Sequence, residues 1–86
     1  MTLEIFVEQL QITMKLLKKS QTIDSESFSY YHDLSDLLIS HLDSLLKRNN
    51  IDTLALKSFK IRENVGEDST SYKIVAAFVE ALKVRV

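Results

Sequence analysis

Eighty-six residues suit a single domain, 1–86, and a chain this short buries only about 60–65% of its unfolded surface. With no cysteine, no proline and one glycine, it cannot be a disulfide scaffold, hold a thiolate metal site or form a glycine-rich phosphate loop. A net charge of −1 disfavours bulk attraction to nucleic acid, and no run approaches the ~18–20 apolar residues of a membrane span.

The N-terminus, MTLEIFVEQL, carries acids where a secretory signal needs bases, so the expected location is the cytoplasm. Leu3 to Lys19 reads as a first helix. Leu3, Phe6, Val7, Leu10, Met14 and Leu17 recur at helical spacing, and Ile5, Ile12 and Leu16 form a second stripe about 180° away. Thr2 is a cap candidate, and Lys15, Lys18 and Lys19 place positive charge in the last turn. Two apolar faces on one helix imply cover on both sides. Ile5, Ile12 and Leu16 are therefore the candidate protein interface of a homodimer, unless later segments cover them within the monomer. The short polar loop Ser20 to Asp24 then joins two antiparallel helices.

Ser25 to Arg48 is the longest patterned stretch. Tyr31, Leu34, Leu38, Leu42 and Leu45 fall on one helical line, with Phe28, Ile39 and Leu46 on one flank and Tyr30, Leu37 and His41 on the other. Thr22, Asp24, Ser25 and Ser27 are N-cap candidates; Lys47 and Arg48 suit the negative end of the dipole; Asn49 and Asn50 favour a stop. Between Ile51 and Asp68 the expectation is a helical turn near Asp52 to Ser58, then irregular or extended chain. A minor hairpin near residues 59–72, turning at Gly66, is the alternative. Ser69 onward reads as a third long helix, near 69–84, with Tyr72, Val75, Val79, Leu82 and Val86 on one stripe, although the terminal LKVRV also alternates like a strand.

The fold expected from these elements is an all-α bundle of three long helices, near 3–19, 25–48 and 69–84, plus a short helical or extended segment.

Little local chemistry stands out. His32 and Asp36, at i and i+4, could supply two metal ligands, fewer than the three or four a zinc site needs, and a solvated pair is the simpler reading. His41 borders the apolar arc and is expected to be satisfied by a hydrogen bond. Ser40 and His41 are adjacent and diverge on a helix, so they do not make a nucleophile and base. No catalytic residues, cofactor or metal are therefore expected. Charge is uneven: Lys47, Arg48, Lys57, Lys60 and Arg62 stand against Asp52 alone. The run reads either as dipole complementation and a solvated loop, or as contacts to phosphate or an acidic partner. The functional expectation is a small non-enzymatic regulatory or adaptor domain, of the inhibitor, antitoxin or immunity type. It would bind a protein partner or its own copy through apolar helix faces, with no membrane contact. The alternative is a DNA-binding regulator using residues 47–62.

Overall fold

A period of two, rather than 3.6, organises the start of the chain. In the computed structural model, which describes residues 1–84, Thr2–Glu8 forms strand β1 and Gln11–Lys18 forms β2. Leu3, Ile5 and Val7 alternate into the core from β1, and Ile12, Met14 and Leu16 do so from β2; all six are completely buried. Register pairs them as Leu3↔Leu16, Ile5↔Met14 and Val7↔Ile12. The expected first helix is thus a strand hairpin. Leu3, Val7 and Met14 of one helical stripe and Ile5, Ile12 and Leu16 of the other share a single buried face, while Phe6 and Leu17 lie on the opposite one.

Gln21–Ser29, expected to lead into the central helix, is a third strand, β3, antiparallel to β2. A bulge between Leu16 and Leu17 leaves Ile23 as the extra residue on β3, 44% exposed. The helix expected over residues 25–48 is confined to α1, Leu34–Arg48, with Leu34, Leu38, Leu42, Leu45 and Leu46 buried. It ends as anticipated at the asparagines: Asn49 and Asn50 donate back to Leu46 and Lys47, and Asn50 takes a left-handed φ of 54°. Asp52 caps a single 3-10 turn, Thr53–Ala55, by accepting from Leu54 N–H at 3.0 Å. Ser58–Glu63 is strand β4, and Thr70–Val84 is α2. No hairpin forms near residues 59–72, because β4 pairs with β1, in parallel. Val86, assigned to the apolar stripe of the last helix, lies outside the described residues.

The molecule is therefore mixed α/β, not an all-α bundle. The sheet order is β3-β2-β1-β4, so β1, β3 and β4 point one way and β2 the other. Both helices pack on the face that carries Leu3, Ile5 and Val7. Leu38, Leu42 and Leu45 of α1 and Val75, Val79 and Leu82 of α2 close one continuous core. Each such side chain contributes about 1.5–3 kcal/mol on burial. The opposite sheet face carries Thr2, Glu4, Phe6, Thr13, Lys15, Leu17, Lys60 and Arg62, and no helix covers it. Among the described residues no helix is long and apolar enough to cross a membrane.

Candidate functional site

The polar groups that meet most closely tie β3 to α1. Asp24 and Glu26 alternate toward the helix side of β3, where core-facing strand residues would otherwise be apolar. Arg48, in the last turn of α1, donates from Nε to Asp24 Oδ2 at 2.9 Å and from Nη1 to Glu26 Oε1 at 2.8 Å. Asn49 Nδ2 adds a bond to Asp24 Oδ2 at 2.8 Å and one to Leu45 O at 2.8 Å. His41 Nδ1 lies 2.6 Å from Glu26 Oε2, and its ring stacks on Phe28 with centroids 4.1 Å apart. This supplies the hydrogen bond expected for His41. Arg48, then Asn49 and the Ser25 N–H, hold the Asp24 carboxyl down at about 2, against its usual 3.8. Partial burial pushes Glu26 up, but the bonds from His41 and Arg48 outweigh it and leave Glu26 below its ordinary value. These residues form a clasp that fixes an edge strand.

A concavity of about 960 Å³ opens where β1, β3 and β4 end and where α1 and α2 begin. Glu8, Tyr30, Tyr31, His32, Ser69 and Thr70 are among its walls. Carboxyl ends of strands are where open α/β sheets bind ligands, and two helix N-termini favour an anion. Yet the lining contains no Lys or Arg, and Glu8 opposes an anion. Ser69 Oγ already caps Tyr72 N–H at 3.0 Å, and Tyr30 donates to Glu8 O at 3.1 Å. His32, expected four residues before Asp36 on one helix face, instead precedes α1. Among the described residues no three His, Asp or Glu side chains are placed to hold a metal ion.

A smaller groove of about 210 Å³ runs between α1 and α2 on the solvent side of the helical layer. Ile39, Leu42, Leu46, Phe78, Ala81 and Leu82 line it, together with the polar Asp43 and Thr53. Ile39 is 60% exposed at its rim, and Leu54, beside the lining residue Thr53, is 55% exposed.

The structure separates the residues singled out from the sequence. Ile5, Ile12 and Leu16, expected at a subunit interface, are fully buried beneath the chain's own helices. The exposed apolar residue Ile39 had been assigned to the flank of a buried arc. The basic run divides in two. Lys47 is paired with Asp43 at 2.9 Å, and Arg48 is engaged by Asp24 and Glu26. Lys57, Lys60 and Arg62 stand on or beside β4, at the other edge of the sheet, and take part in no ion pair among the described residues.

No family model matches the chain, and no curated protein matches it in sequence. Among solved structures it is similar to YeaZ from Pseudomonas aeruginosa, with a TM-score of 0.76 at 15% identity. The match takes in 99% of this chain and 40% of that one, so this chain spans well under half the length of YeaZ. At that identity the likeness supports the mixed α/β fold and extends to nothing else. The clasp could have been found in the sequence by asking which partners the alternating acids of DSESF require. The groove could not, because its α1 and α2 walls come from segments more than thirty residues apart.

Proposed function

We propose that this domain is a non-catalytic protein-interaction module, acting in the cytoplasm, that self-associates through the outer face of α1 and α2. The observation that carries the reading is Ile39, 60% exposed beside a groove whose walls are apolar apart from Asp43 and Thr53. One face thereby supplies both a projecting side chain and a hollow to receive one, the self-complementarity a two-fold dimer needs. Two copies related by such an axis place each Ile39 in the groove of the other. Ion pairs Lys47–Asp43 and Lys83–Glu80 lie on the same two helices, consistent with a polar rim around an apolar centre. The DNA-binding alternative is weaker, because Lys47 and Arg48 are engaged by acids of the same chain.

The test is sedimentation equilibrium on the wild type and on Ile39→Asp. The expected result is a concentration-dependent dimer for the wild type and a monomer of unchanged circular dichroism for the variant. A wild type that stays monomeric in the hundreds of micromolar ends this reading.

A further inference from the structure

We infer that the free edge of β4 is a strand-addition site for an extended polypeptide segment in which acidic and apolar residues alternate. The two ends of the sheet differ. At the β3 edge a bulge at Ile23 interrupts the ladder, and Asp24 and Glu26 are neutralised by Arg48. Such features blunt an edge against further pairing. At the other end β4 keeps unbroken register with β1 from Ser58 to Glu63, and among the described residues no strand lies beyond it. Its outer backbone groups are arranged for another ladder.

Side chains define what that ladder accepts. Lys60 and Arg62 are exposed on the helix-free face and unpaired among the described residues, and Lys57 stands just before the strand. Phe59 and Ile61 alternate with them, half-buried against the core. An incoming strand therefore meets positive charge at every second position on one face and apolar surface on the other. Cross-strand neighbours of opposite charge, and apolar neighbours, each favour pairing. A second copy of β4 does not fit. In an antiparallel two-fold pair that overlaps most of the strand, Lys60 or Arg62 falls opposite Lys60 or Arg62. This site is thus independent of the α1–α2 groove, and loss of either leaves the other standing.

The test titrates 15N-labelled protein with a synthetic peptide, Thr-Glu-Val-Glu-Val-Glu-Val-Thr, and with its lysine counterpart. The expected result is amide shifts confined to Ser58–Glu63 and neighbouring β1, with binding that weakens as salt rises. The lysine peptide binds at least about tenfold more weakly, as does the glutamate peptide to Lys60→Gln/Arg62→Gln. The glutamine pair is chosen because glutamate at position 60 would face Glu4 across the ladder. N-methylating alternate peptide nitrogens should abolish binding, since ladder bonds are lost. Shifts on Gln21–Ser29, equal binding of both peptides, binding that survives N-methylation, or no binding at millimolar peptide would each overturn the inference. So would β4 amides already protected by self-association.

Discussion

Three residues adopt an uncommon backbone where the strands turn. Leu10 has φ of 63°, Lys19 of 53° and Ser20 of 67°. Two successive positive values at Lys19 and Ser20 are the geometry of a type I′ hairpin, which favours Asn-Gly because side chains with a Cβ crowd the left-handed region. That missing signal is why the strands were not legible: neither turn contains glycine, proline or asparagine. Lys19→Asn with Ser20→Gly should stabilise the domain by about 1 kcal/mol, raising Tm by roughly 4–8 °C for a chain of this size. Scanning calorimetry checks it. The clasp gives a second prediction. Asp24 titrates lower in the folded protein than its usual 3.8, so its contribution is complete above that value and is lost as pH falls toward about 2. The urea midpoint of the wild type should drop across this window, and that of Asp24→Asn should drop less. Identical acid profiles would mean that Arg48 does not hold Asp24 in solution.

The elements show what periodicity can and cannot separate. In α1 the leucine line Leu34, Leu38, Leu42 and Leu45 was read correctly, because Asp33, Asp36, Ser40 and Asp43 leave the far face polar. In β1 and β2 the outward positions hold Phe6 and Leu17 as well as Glu4 and Lys15, so a period of two blurs into spacings of three and four. Strand β3 has one buried residue, Phe28, and its polar alternation resembles a helix N-cap region. The two periodicities rank neighbouring substitutions in opposite order. Ile5→Ala should cost about 2–5 kcal/mol as a core truncation. Phe6→Ala, on the helix-free face, should cost on the order of 1 kcal/mol. Urea denaturation of the two variants measures both, and the reverse order would mean that the inner and outer faces of β1 are exchanged.

For the whole molecule, the small-core concern is met by layering: one sheet and two helices enclose a single cluster without a second chain. Ile12 belongs to that cluster and has no exposed area. Ile12→Glu, which would only have split a dimer had the residue lain at an interface, should instead prevent folding, because an unpaired charge would enter the core. Circular dichroism of the purified variant decides between the two outcomes. What the sequence could not reveal was long-range pairing. Ile5, Ile12 and Leu16 read as an interface because nothing local indicates that α1 and α2 pack over them.

The return of β4 to lie beside β1 has a kinetic consequence. Thr2 and Ser58, neighbours across the sheet, are separated by 56 positions. The three-stranded meander of residues 2–29 can close by local turns, but its apolar side waits for α1 and α2, and one flank of β1 waits for β4. Contacts of such long range make refolding slower than that of a helical bundle, between its microseconds to milliseconds and the milliseconds to seconds of all-β domains. During synthesis, until Glu63 has emerged, β1 offers to any other nascent chain the same edge that it later gives to β4, which makes this interval the one most exposed to aggregation.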